Sequence, residues 1–135
     1  MHEIDGIGNP VVIQIDILKS DGVQTRIVDI CSDDRLTAVA IDDCAVQAWT
    51  LQNLGYDHVR STVAIPRAEA AAASSFEDLF ELHDVTDKVS ARTGDIAALV
   101  AAARTVLQSL DEPAIEVGAH CNQAYPCPFL QHCSR

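Results

Sequence analysis

Two runs of β-branched residues, VVIQIDIL at positions 11–18 and VQTRIVDIC at 23–31, are joined by the short polar stretch KSDG. Branched side chains pack well on a pleated surface, and an aspartate–glycine turn between two such runs predicts an antiparallel hairpin. The first run is nearly continuous in apolar residues, so it predicts a buried strand interrupted by one acid, Asp16.

SDDR at 32–35 breaks the strand pattern, and the chain leads from about Leu36 into a helix expected near 42–54. There Ala45, Val46, Trp49 and Leu54 recur at helical spacing, with Gly55 as the stop. HVRSTVAI at 58–65 predicts a third strand closed by Pro66. Residues 67–75 predict a surface connection despite their alanines, and 76–83 fit either a short strand or a helical turn. The clearest element runs from Asp95 to Leu110, where Ile96, Leu99, Val100, Ala103, Val106, Leu107 and Leu110 form one apolar stripe. Asp111 to Pro113 end it, and an extended AIEVG leads into the tail. The order predicts an α/β protein with a mixed central sheet and flanking helices.

A chain of 135 residues fits one domain with a real core. It opens with neither a basic nor an apolar leader and carries no run long enough to span a membrane, which reads as a cytoplasmic protein. Nine basic against twenty acidic residues give a net charge of −11, which repels nucleic acid at long range. Lys19, Arg26, Arg35, Arg60 and Arg67 are scattered along the sequence, so no basic groove is expected, and nucleic acid is not the expected partner of the isolated chain.

Five cysteines, an odd number, suit thiols or metal ligands better than disulfides in such a compartment. Three of them fall in HCNQAYPCPFLQHC at 120–133, each separated from the next by five residues. Zinc sites favour cysteine pairs two to four residues apart, whereas wider spacing suits an iron–sulfur cluster, whose irons stand apart. Iron–sulfur, zinc and plain structural thiols all stay open on spacing alone. A bound metal group would hold a proline-rich tail that has no core of its own, because ligand-bond energy becomes folding energy.

The tail IEVGAHCNQAYPCPFLQHC, with QIDIL, IVDICS and DDCAVQAWTLQNLG upstream in order, resembles a bacterial family of uncharacterised iron–sulfur proteins. That family is related to the RecB-type and CRISPR-associated iron–sulfur nucleases of the PD-(D/E)XK superfamily. The resemblance implies a truncated nuclease-like α/β core over 1–118 and an iron–sulfur tail over 119–135. It also implies that Cys121, Cys127 and Cys133 ligate a cluster, by expectation [4Fe–4S], that staples the tail to the core. Relatives take a fourth cysteine from a segment before the first active-site strand, and here that strand follows Met1 almost at once. The fourth position then falls to His120, His132, Cys31, Cys44, a partner chain, or a small molecule at an open iron. His120 and His132 adjoin ligand cysteines, and successive side chains point apart, which favours ordinary imidazoles there.

The resemblance implies a nuclease site in which two acids hold Mg²⁺ and a lysine stabilises charge on the phosphate. Asp16 and Asp29 match the acids and Gln47 an orienting glutamine, but Cys31 stands at the lysine position. The expectation is therefore an iron–sulfur protein on a degenerate scaffold. It would be a non-hydrolytic subunit or accessory module with a structural or electron-transfer cluster, working with a protein partner or as a homo-oligomer. The alternatives are a metal-dependent DNA nuclease, or a small-molecule enzyme using an open iron.

Overall fold

The computed structural model describes residues 10–68, 75–123 and 125–135. A hairpin of β1 (Ile17–Ser20) and β2 (Thr25–Ile30) is followed by helix α1 (Ala38–Asn53) and strand β3 (Val59–Pro66). Then come α2 (Phe76–Leu79), β4 (Phe80–Asp84), α3 (Thr86–Ser90) and the long α4 (Thr93–Gln108). The tail holds a 3₁₀ turn, Ala119–Asn122, and a last turn α5 (Leu130–Cys133). The sheet is mixed and four-stranded in the order β1-β2-β3-β4, with β2 and β3 parallel and both outer pairs antiparallel. The α/β class expected from the sequence is the class observed.

Local chemistry explains the boundaries. Asp21 closes the hairpin turn by accepting the Val23 and Gln24 amides at 2.9 and 2.8 Å, and these bonds hold its carboxyl below the usual range. Gly22 takes the positive φ of 88° that this turn needs. Helix α1 starts four residues before the expected start, because Thr37 caps it by accepting the Ala40 amide at 3.2 Å. It ends where expected, with Gly55 at φ 91°. The ambiguous stretch 76–83 is both things in turn, a helical turn and then β4. The surface connection expected at 67–75 lies largely outside the described residues.

The first run departs from expectation. Only Ile17–Ser20 forms a strand, every residue of it exposed, while 10–15 alternates between half-buried and exposed without regular pairing. The reason is register: with Ile17 opposite Val28, residues 10–14 fall beyond the end of β2 at Ile30 and, among the described residues, have no strand beside them to pair with. The Asp16 carboxylate accepts the Ile30 amide at 2.8 Å and so takes that backbone donor at the end of the ladder.

The core lies between one sheet face and α1. Ile27, Val63 and Ile65 from the strands meet Ala40, Ile41, Cys44, Ala45, Ala48 and Leu51 from the helix, all buried. Val85, Val89 and Ile96 extend this cluster under α3 and the first turn of α4. An Arg92–Asp42 ion pair ties the start of α4 to α1. Beyond that turn the apolar stripe of α4 does not pack as a whole: Ile96 is buried and Val100 half-buried, but Leu99, Val106 and Leu107 are exposed.

The other sheet face is less covered. Register places Ile17, Val28, Ile30 and Leu82 on it, with Ile17, Ile30 and Leu82 each more than a third exposed. The same register corrects the expectation of scattered cations, because Lys19 pairs with Arg26 and Arg26 with Arg60, making one row across three strands. Arg60 is neutralised by an ion pair with Asp84.

Ile27→Ala should cost about 3 kcal/mol in chemical denaturation, whereas Leu107→Ala should change stability by less than about 0.5 kcal/mol. Asp84 supplies a pH test. Hydrogen bonds from Thr86, and then Arg60, lower its pKa from 3.8 to about 2. A carboxyl depressed on folding stabilises above its unfolded pKa, so this contribution should fade as pH falls from about 4 through about 2. Asp84→Asn should flatten that part of the stability–pH curve.

Candidate functional site

The tail winds its three cysteines around one pocket by backbone hydrogen bonds. The Cys121 amide donates to the Gly118 carbonyl at 3.0 Å, Cys127 to Cys121 at 2.8 Å, and Cys133 to Phe129 at 3.0 Å. These turns bring Cys121, Cys127 and Cys133 to the wall of a cavity of about 560 Å³. Its other walls come from Ile115, Phe129, Leu130, Glu112, Glu116 and the two histidines, among others. Among the described residues, those that line it lie between positions 112 and 133, and none belongs to the sheet or to α1. The pocket thus takes lining also from residues 112–116, ahead of residue 119, the expected start of the tail.

Within the pocket the three thiols differ in exposure, with Cys121 buried, Cys127 intermediate and Cys133 exposed. His132 Nε2 lies 2.5 Å from Glu112 Oε1, an acid–imidazole pair that anchors α5 to the segment leaving α4. His120 also lines the pocket, and no hydrogen bond to it is found among the described residues. Gly118 leaves space for its ring, since a Cβ there would stand 3.2 Å from His120 Nδ1. The cavity is far larger than the roughly 30 Å³ of liquid volume that one water takes, so the cysteines surround a space rather than a point. Among the described residues, no three His, Cys, Asp or Glu side chains are grouped so as to hold a single metal ion.

The remaining two cysteines belong elsewhere. Cys31, at the end of β2, and Cys44, on α1, are buried in the central core and take no part in the tail pocket. Burial first, and then the charges of Asp29 and Asp43, push the Cys44 thiol up to about 12, so it stays protonated.

The acids expected to pair are used differently. The β1–β2 register carries Asp16 to the position across from Asp29. Yet the Asp16 carboxylate is spent on the Ile30 amide, while Asp29 Oδ1 accepts Gln47 Nε2 at 3.1 Å. Asp29 and Gln47 share a second pocket, of about 290 Å³, with Asp43. Asp43 therefore joins Asp29 and Gln47 at this pocket, and it carries a raised pKa, chiefly from burial and then from Asp29 and Asp42. Its position was legible in principle, because Asp43 precedes Gln47 by four residues and shares its helix face. Among the described residues, no lysine or arginine lines this pocket. Arg26, of the opposite parity on β2 from Asp29, is exposed on the other sheet face, as strand alternation requires. Gln47 Oε1 is buried without a partner among the described residues.

Fold and site together define an α/β domain with a cysteine-lined pocket on its C-terminal extension. Comparison with protein families, with curated proteins and with solved structures finds no match. No helix among the described residues is long and apolar enough to cross a membrane.

Thiol chemistry checks this arrangement. In the metal-free folded protein at pH 8, a maleimide should modify Cys133 first, and Cys31 and Cys44 only when the protein unfolds. Cys44 keeps its proton in the folded state above the pH where the unfolded chain loses it. Stability should therefore fall as pH rises from 9 toward 12, and less so in Cys44→Ala.

Proposed function

We propose that this protein binds an iron–sulfur cluster through Cys121, Cys127 and Cys133 and acts as a non-hydrolytic subunit or accessory module. The observation that carries the reading is the common pocket, in which three thiols from three separate turns line one cavity larger than a single ion needs. A cuboidal [4Fe–4S] group takes its ligands on different irons and suits donors spread in this way. Such a cluster supplies either a structural cross-link or one-electron redox chemistry. The chain's own part is to present the thiolates, and the Glu112–His132 pair holds the Cys133 turn against the opposite wall.

For the fourth position, Cys31 and Cys44 are disfavoured by their place in the core, which leaves His120, His132 or an external ligand. The same placement removes support for a small-molecule enzyme with a core cysteine beside an open iron. The nuclease alternative fares no better. Of its two acids, Asp29 lines a pocket with no lysine or arginine among the described lining residues, Asp16 accepts the Ile30 amide, and the lysine position holds a buried thiol. Loss of a group that stabilises developing charge costs on the order of a hundredfold or more in rate. The half-exposed apolar residues Ile17, Ile30 and Leu82 on the open sheet face suit a chain that works within an assembly.

Protein prepared without oxygen should carry iron and acid-labile sulfide, with a broad absorption near the visible–ultraviolet border. Cys121→Ser, Cys127→Ser and Cys133→Ser should each lose most of both, whereas Cys31→Ser and Cys44→Ala should keep them. Stoichiometric zinc with no iron, in protein of unchanged fold, would overturn the proposal. Cluster-loaded protein should leave single- and double-stranded DNA intact in Mg²⁺ or Mn²⁺; cleavage abolished by Asp29→Ala would show a live nuclease site.

A further inference from the structure

His120 and His132 line the tail pocket beside the three cysteines, and the two rings are held differently. His132 Nε2 meets Glu112 Oε1 at 2.5 Å, a contact that spans twenty residues of sequence. His120 has no such partner: no hydrogen bond to either of its nitrogens is found among the described residues. The Nδ1–Cε1 edge of its ring instead lies over Gly118, where a Cβ would stand 3.2 and 3.3 Å away.

The Glu112 contact decides the state of the His132 ring. An ionised carboxylate can only accept a hydrogen bond, so in the neutral imidazole the proton sits on Nε2. Nδ1 then carries the free lone pair, and among the described residues no bond to it is found. Histidines that bind metal are built this way: one nitrogen ligates while the other donates to a carboxylate, which fixes the tautomer, turns the ring and raises its basicity. Adjacency to Cys133 is no obstacle at a group with several irons. Successive side chains on a helical turn stand about 100° apart, which keeps neighbours from sharing one ion. A cuboidal cluster needs its donors on different irons, and His132 and Cys133 both line the cavity.

We infer that His132, through Nδ1, is the fourth ligand of the cluster, and that Glu112 is the positioning residue that fixes its tautomer. This rests on the reading that Cys121, Cys127 and Cys133 hold a [4Fe–4S] group. The ligand set is then three cysteines and one histidine, with His120 left as an unligated ring on the pocket wall. An imidazole is neutral where a thiolate is negative, so this set favours the reduced cluster more than four cysteines would.

The test is pulsed EPR of the full chain, grown with ¹⁵N-labelled histidine, prepared without oxygen and reduced with dithionite. Wild type should show a strong nitrogen coupling at the reduced cluster that changes with the isotope. His132→Ala should lose the coupling, and His120→Ala should keep it. His132→Cys should keep the full iron and sulfide content, lose the coupling and lower the reduction potential, because a thiolate replaces a neutral ligand. Glu112→Gln should keep cluster and coupling but raise the potential, and by more than Glu116→Gln, which removes the same charge from the same pocket wall. Both side chains of the Glu112–His132 pair are more than half exposed, so circular dichroism should show these variants folded. A full cluster without histidine nitrogen coupling in wild type, or with the coupling retained in His132→Ala, overturns the assignment while the cluster reading stands. Equal shifts for the two glutamate variants overturn the role of Glu112. Wild-type protein without iron and sulfide overturns the cluster reading and this inference with it.

Discussion

The contact between α1 and the inner sheet face holds the rest of the molecule in place. The crossover from β2 through α1 to β3 makes those two strands parallel, and it does so by burying Ile27, Val63 and Ile65 under Cys44, Ala45, Ala48 and Leu51. Alanines along the middle of the helix let it lie close to the strands, so a modest number of large side chains fills the space. Both outer strands then pair with this unit, and α3 and the first turn of α4 lean on α1. Asp29 and Gln47 meet because they stand on the two sides of the same contact.

The tail stands apart from that dependence. Among the described residues its pocket is lined by positions 112–133, and its hydrogen bonds are mostly local. A metal group there would order the tail itself, through bonds that do the work hydrophobic burial does in the domain. The expected staple to the core would have to reach beyond the described lining residues, all of which lie at 112–133.

Much of the domain could be read from the chain. The hairpin followed from two β-branched runs about a turn, α1 and its glycine stop from helical spacing, and α4 from an alternation that no strand would tolerate. The reading failed where pattern and position disagree. Residues 11–15 look like a buried strand, but in the observed register most of them run past the end of β2, and pairing starts only at Ile17. The stripe on α4 predicted burial, but only Ile96 and Val100 of it reach the core. Periodicity tells which residues share a face. It does not tell whether anything packs there.

The sequence by itself determined the element types, the order of strands and helices, and the even spacing of three cysteines without a core to bury them. All of these depend on residues close along the chain, through backbone preference, turn chemistry and side-chain period. Tertiary structure alone decided three other matters: that Cys31 and Cys44 go to the core while the tail cysteines share a pocket, that Asp43 joins Asp29 and Gln47, and that Lys19, Arg26 and Arg60 form one row. Each of these is a meeting of residues far apart in sequence, governed by strand register and by the rotation of α1 over the sheet. A shift of one residue in register would exchange the two sheet faces, and no local pattern around Asp16 or Lys19 records which register the folded chain adopts.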